Sequence, residues 1–254
     1  MKNSSLPKPN LFGYHAVREA WLNPDRTVNT IYLTKQAIKG FEAELHKARK
    51  KNLKRPDPLQ IEKKDLERLL SPGSVHQGIA AKCSPLPEQF LQDVIIKSST
   101  QNHSLILMLD QVTDPHNVGA IIRSACAFGV DGIIMQSKHA PELTGHLAKA
   151  ACGAIEHVPV VYETNLSRAV ETLKQDGFFA YGLDERGKQT VGELAENDPP
   201  NKIVLVLGAE GPGIRKLVKE HCDTLIRLPM SGPIPSLNVS NAAAVALYAL
   251  AQKS

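Results

Sequence analysis

Three short stretches of this 254-residue chain carry residue types that could do chemistry. "DPHNVGAIIRSACAFGV" holds Asn117 and Arg123, "LVLGAEGPGIRKL" sets Gly208, Gly211 and Gly213 around Glu210, and "RLPMSGPIPSLNVSNAAAVAL" brings Ser236, Asn238, Ser240 and Asn241 behind a stiff loop of Pro229, Gly232, Pro233 and Pro235. The glycines suit a loop whose backbone comes close to a ligand or takes positive φ. Their order, G-x-x-G-x-G, is not the dinucleotide fingerprint G-x-G-x-x-G, and no Gly-Lys-Ser/Thr follows to make a phosphate loop. Glu210 argues further against a phosphate, because two negative groups would be held together in a partly dry site. A carboxylate there suits a ligand with hydroxyls or positive charge. Arg123 lies off the apolar stripe of Val118, Ile121, Ile122, Ala125 and Phe128, with small Ala120 and Ala127 a turn away, so a bulky nucleic acid backbone could approach it. Each residue has a plainer alternative: a surface arginine, a cap at Asn117, a cap or ion pair at Glu210, and capping alone for the polar start of the last helix.

The elements that must position these residues show in the apolar periodicity. From Ser104 onward "SLILMLD", "DGIIMQ", "EHVPVVY", "FFAYGL", "KIVLVLG" and "DTLIRLP" have the character of buried parallel strands. Helical segments at 118–128, 143–151, 166–175 and 214–220 lie between most of them, and a small, apolar helix at 242–251 follows. This alternation predicts an α/β domain with helices on both faces of a parallel sheet, and ligands in such sheets bind beyond the carboxyl ends of the strands. The first third reads as a smaller α/β module with a boundary near residue 85. Its helices are "GYHAVREAWL", "GFEAELHKARKKN" and "DLERLL", the last capped by Asp65; its strands are "NTIYLTK", "LQIEK" and "QGIAAKC". "SPLPEQFLQDVIIKSSTQNH" between the two looks like a connector with a helical turn or two.

Charge is unevenly distributed. Residues 1–80 hold 15 Lys and Arg against 8 Asp and Glu, a net +7, whereas residues 81–254 sum to −3. The densest basic run, "HKARKKNLKR", supplies Lys50, Lys51, Lys54 and Arg55, which could bind a phosphate backbone through charge or form an ordinary solvated helix face. The four cysteines, Cys83, Cys126, Cys152 and Cys222, stand alone, without zinc or disulfide spacing, and read as packed, reduced thiols. No apolar run reaches the roughly 20 residues of a membrane helix, and "MKNSSLPKPNLFGYH" lacks the apolar core of a secretory signal, so a cytoplasmic location is the default expectation.

In order and at the usual spacing, the three stretches resemble motifs one, two and three of the SpoU/TrmH ribose 2′-O-methyltransferases, and "HQGIAAKC" with the basic module before it is similar to the branch that modifies ribosomal RNA. The resemblance implies residues 1–84 as an RNA-binding domain of ribosomal-protein-like α/β fold, 85–103 as a linker and 104–254 as the methyltransferase domain. It further implies a parallel sheet with a deep C-terminal trefoil knot, which would be a rare exception to unknotted topology. S-adenosylmethionine would lie in a pocket lined by Gly208, Leu228, Met230, Leu237 and Asn238, with Gly182 and Leu183 nearby. The family's catalytic arginine falls on Arg123, with Asn117, Glu210, Ser236 and Asn238 around it. Members usually work as homodimers, and no metal is implied. Pro235 departs from the acidic or small residue more usual before Ser-Leu-Asn.

The implied reaction joins a ribose oxygen, which must lose its proton, to a cationic sulfonium; charge is consumed, and a dry, well-positioned site favours that transition state. The substrate expectation is a guanosine of 23S ribosomal RNA, with transfer RNA as runner-up. A different class of reading is an RNA-binding or ribosome-assembly factor with an idle pocket; the complete set Asn117, Arg123, Glu210, Ser236 and Asn238 favours the enzyme. A nicotinamide-dependent dehydrogenase is disfavoured by the glycine order.

Overall fold

In the computed structural model, which describes residues 6–197, 199–234 and 236–251, the six apolar runs of the second half become strands of one sheet. Pro235 lies outside the described residues. The chain forms two compact units, Met1–Pro87 with Glu142–His157, and Glu88–Pro141 with Val158–Ser254. No helix among the described residues is long and apolar enough to cross a membrane.

In the first unit, β1 (Leu11–Phe12), β2 (Val28–Leu33), β3 (Leu59–Gln60) and β4 (Ile79–Cys83) form a sheet in the order β1-β4-β2-β3, with β4 antiparallel to both neighbours. Helices α1 (Tyr14–Leu22), α2 (Lys35–Lys50) and α3 (Lys63–Leu69) connect them. Thr34 caps α2 by accepting from the Ala37 N–H at 3.4 Å, and Lys47, Arg49 and Lys50 fill the last turn, where the helix dipole favours cations. α3 starts behind Glu62; Asp65, expected as the cap, lies in the first turn instead and pairs with Arg68 at 2.9 Å. Phe12, Tyr32, Ile61, Leu66 and Ala80 form one cluster of the core, and Leu11, Trp21, Ile31 and Phe41 are buried as well.

The second unit opens with α4 (Leu91–Ser99) inside the stretch expected as a connector. α4 is a core helix: Val94 and Ile95 are buried against the sheet. Then follow β5 (Ser104–Asp110), α5 (Pro115–Ala127) and β6 (Gly132–Gln136). The segment Glu142–His157, containing α6 (Gly145–Ala150) and a 3-10 turn at Ala154–Glu156, belongs to the first unit although the alternation puts it with the second domain. It is anchored there by Glu156, whose wholly buried side chain accepts from Asn23 Nδ2 at 2.8 Å and faces the buried Arg26 Nε at 3.4 Å. Burial pushes the Glu156 carboxyl up from its ordinary range against the opposing pull of Arg26.

The second unit resumes with β7 (Val160–Glu163), α7 (Leu166–Gln175), β8 (Phe179–Leu183), β9 (Gln189–Thr190), α8 (Val191–Glu196), β10 (Lys202–Gly208), α9 (Lys216–His221), β11 (Thr224–Arg227) and α10 (Val239–Ala251). The sheet order is β7-β6-β5-β10-β8-β11-β9, and every neighbouring pair is parallel. Ile106, Met108, Val204 and Val206 pack on one face against α4, α7 and α9, while the alternating Leu107, Leu109, Leu205 and Leu207 are equally buried on the other. The two-sided burial explains why these strands read as continuous apolar runs. Cys222 packs against this core and Cys83 is buried at the end of β4 in the first unit; burial pushes their thiols up to about 12 and about 11 respectively, so both stay protonated at neutral pH.

Candidate active site

Four adjacent strands, β5, β10, β8 and β11, end side by side, and their carboxyl ends carry most of the residues singled out by type and spacing. Asp110 is level with Gly208, and Leu183 is level with Leu207 and Ile226. Asn117 follows β5, Gly182 and Leu183 finish β8, Gly208 finishes β10, and Leu228 and Met230 follow β11.

The glycine-rich stretch is a tight turn folded back on its own strand. Gly213 N–H donates to Ala209 O at 2.9 Å, and Gly211 and Gly213 take φ of 82° and 67°, where an L side chain would be strained. Gly208 serves a different purpose: a Cβ there would overlap the backbone of Gly213 and Ile214. The turn is pinned at its exit by Asp110, a wholly buried carboxylate that ends β5. Its two oxygens accept from Arg215, one from Nε at 2.7 Å and the other from the backbone N–H at 2.8 Å. A charged residue closing a buried strand was the available signal for Asp110, which the motif reading passed over.

Glu210, at the tip of this turn, joins the three stretches. Its Oε1 accepts from Asn238 Nδ2 at 2.7 Å, from Asn117 Nδ2 at 3.3 Å and from the Val239 N–H at 3.3 Å. Asn238 Nδ2 also donates to Asn117 Oδ1 at 2.9 Å, and Asn238 Oδ1 accepts from the Ser240 N–H at 2.9 Å and hydroxyl at 2.6 Å. Because a carboxylate can only accept and a backbone N–H can only donate, the network fixes both amide orientations. The carboxylate also faces the first turn of α10, where the helix dipole favours negative charge. The cap of α5 is Asp114, which accepts from the Asn117 N–H at 2.8 Å, so the Asn117 side chain is left to join Glu210 and Asn238.

Other expected residues stand outside this network. Arg123 is exposed on α5, six residues and about 9 Å of helix rise beyond Asn117. Ser236 is exposed and tied through its backbone N–H to Ile234 O at 2.9 Å. Met230 and Leu237 are 39% and 41% exposed, apolar surface left uncovered beside Asn238. In the first unit Lys50, Lys51 and Lys54 are exposed, whereas Arg55 is committed inward. Its guanidinium donates to the carbonyls of Trp21 and Asn23, both at 2.6 Å, and of Arg26 at 3.1 Å, and lies over the Trp21 ring. Arg55 therefore braces the fold, and the basic run loses one cation from its outward face.

Comparison with known proteins sets this geometry among relatives. Residues 104–248 match the SpoU rRNA Methylase family, and residues 11–89 match a family described as RNA 2'-O ribose methyltransferase substrate binding. Over 94% of the chain and 94% of the relative, the sequence is 36% identical to the 23S rRNA (guanosine-2'-O-)-methyltransferase RlmB of Pseudomonas putida. It is 40% identical to an uncharacterized tRNA/rRNA methyltransferase of Synechocystis, covering 94% of this chain but 61% of that longer protein. Among solved structures, the SpoU methyltransferase AviRb of Streptomyces viridochromogenes, in complex with AdoMet, superposes with a TM-score of 0.75 at 24% identity, covering 96% of this chain and 89% of that one.

Proposed function

Since the chain belongs to the SpoU rRNA methylase family, we propose that it transfers a methyl group from S-adenosylmethionine to the ribose 2′-hydroxyl of a guanosine in 23S ribosomal RNA. The observation that carries this reading is the Asn117–Glu210–Asn238 network, which ties all three family motifs together at the strand ends.

The residues present suit the cofactor. Gly208 offers bare backbone at a strand end, and the exposed side chains of Met230 and Leu237 offer apolar cover. Together with Leu228, Asn238, Gly182 and Leu183 they would hold S-adenosylmethionine, which supplies an electrophilic methyl on a sulfonium. Glu210 holds Asn117 and Asn238 in one orientation and so acts as a positioning residue. Arg123 grips the phosphate beside the target ribose and lowers the pKa of the hydroxyl, and the proton leaves to phosphate or water. An arginine with a pKa above about 12 is a poor base, which favours this role over direct proton abstraction. Ser236 is read as a neutral hydrogen-bonding group at the mouth of the site.

The same reading includes the deep trefoil knot, a homodimer and a cytoplasmic location. The homodimer has support in α10, which exposes Val245 and Tyr248 at 49% and 56%, with the Tyr248 ring edge-on to Phe128 at 6.1 Å. The test of the reaction is incubation of the protein with radiolabelled S-adenosylmethionine and, in parallel, unmodified 23S rRNA or unmodified transfer RNA, followed by mapping of 2′-O-methyl positions. One stoichiometric guanosine is expected; no incorporation, or incorporation only into transfer RNA, refutes the substrate. Reversing the charges of Lys50, Lys51 and Lys54 to glutamate should weaken RNA binding at least about tenfold and flatten its salt dependence by about two to three phosphate contacts. Isothermal titration of the same variant should return an unchanged affinity for S-adenosylmethionine, and unchanged RNA affinity would confine the run to a solvated helix face.

A further inference from the structure

The first unit carries a polar group that methyl transfer does not use. His76, Gln77 and Gly78 make a tight turn before β4: the buried His76 accepts through Nδ1 from the Gly78 N–H at 3.0 Å, and its carbonyl accepts from the Ile79 N–H at 3.0 Å. The turn holds Gln77, exposed, at φ 56°, a left-handed conformation that non-glycine residues rarely adopt. Such backbone strain concentrates where a side chain has a task.

The Gln77 amide is also locked. Its Oε1 accepts from the Tyr14 N–H at 3.1 Å and from Lys149 Nζ at 2.8 Å, two groups that can only donate, so the oxygen must face inward and the NH2 outward. That NH2 has no partner among the described residues. Lys149 comes from α6, and its stem occupies the space that a side chain at Gly13 would fill. Beside it, Tyr14 and the exposed His15 meet edge to face at 5.4 Å.

We infer that Gln77 reads a base: its outward NH2 donates to an acceptor on the edge of an unpaired RNA nucleotide, with Lys149 as the positioning residue and His15 as a neighbouring stacking surface. A neutral, pre-oriented pair of donors suits a base edge better than a phosphate, which cationic side chains bind more strongly. An unpaired nucleotide is required because base edges in an RNA duplex are poorly accessible, whereas splayed bases are read by amides and stacked on rings. This inference rests on the RNA-methylating reading above.

The test measures binding of the full chain to unmodified 23S rRNA and to a duplex RNA of equal charge. Gln77→Glu keeps both inward hydrogen bonds and removes the donors; Gln77→Gly relieves the backbone and removes the side chain. Both variants should lose about tenfold affinity for 23S rRNA, with a cooperative melting transition retained and S-adenosylmethionine affinity unchanged. Gln77→Gly should bind the duplex like the parent. Equal loss on both RNAs overturns base reading in favour of a phosphate contact, and no loss on either overturns any RNA contact. A parent protein that fails to prefer 23S rRNA to duplex overturns the substrate reading and this inference with it, whereas a parent that prefers it beside an unaffected Gln77→Gly overturns this inference alone.

Discussion

Arg123→Ala is expected to abolish methyl transfer, lowering turnover by about 10²–10³-fold or more, while affinity for S-adenosylmethionine stays within about twofold of the parent. The argument is one of position. Arg123 is exposed on α5 and stands apart from the Asn117–Glu210–Asn238 network, so its removal leaves the cross-links among the three motifs intact. What is lost is a planar, permanently charged group that can hold an RNA phosphate with two hydrogen bonds. Arg123→Lys should recover little, because a lysine presents a point charge without the fork. Single-turnover transfer to 23S rRNA, with calorimetric titration of the cofactor alongside, distinguishes the outcomes. Activity above about a tenth of the parent would exclude Arg123 from the reaction, and a matching loss of cofactor affinity would make its role structural.

Gly208→Ala should be the most damaging small substitution in the second unit. The added methyl would collide with the backbone of Gly213 and Ile214, which is held in place by the Asp110–Arg215 bonds at the exit of the turn. Flexible side chains cannot yield here, so the cost should reach or exceed the upper end of ordinary overpacking, about 3 kcal/mol, or a fall in melting temperature of roughly 6–12 °C. Cofactor binding should disappear with it. Gly211→Ala provides the contrast: its φ is 82°, but a Cβ there would meet open space. That variant should pay only the left-handed backbone term of about 1–2 kcal/mol and keep cofactor affinity. Equal melting temperatures for the two variants, measured by calorimetry, would show that the close approach at Gly208 is not limiting.

The central strands β5, β6, β8 and β10 were legible because they are buried on both sides, and a short period-free apolar run bounded by turns fits a buried strand. Other elements were hidden for physical reasons. α4 lies between Pro85, Pro87 and a polar tail, and of its apolar residues Leu91, Val94, Ile95 and Ile96 only Val94 and Ile95 are buried, a stripe too narrow to announce a core helix. α8 is shorter still, although Thr190 and Glu193 form a capping box whose spacing was available in the sequence. At the site, residue types gave Asn117, Glu210 and Asn238 as candidates, yet left open whether each was a cap. Only the fold brings positions 117, 210 and 238 within hydrogen-bond distance, and it shows Asp114 as the cap. Arg55 illustrates the converse: a basic run is a statement about composition, and which of its members face solvent depends on neighbours such as Trp21 and Asn23.

The anchoring of Glu142–His157 in the first unit has a consequence for synthesis. Arg26 emerges from the ribosome long before Glu156, the carboxylate that it faces in the finished protein. Translation at roughly 5–20 residues per second leaves roughly 4–15 seconds between the last strand of the N-terminal sheet and the 3-10 turn. The first unit is first in the gene, yet it cannot finish folding until residue 156 has emerged, and a nascent chain stalled before that point would carry an incomplete N-terminal unit with Arg26 still awaiting its counter-charge.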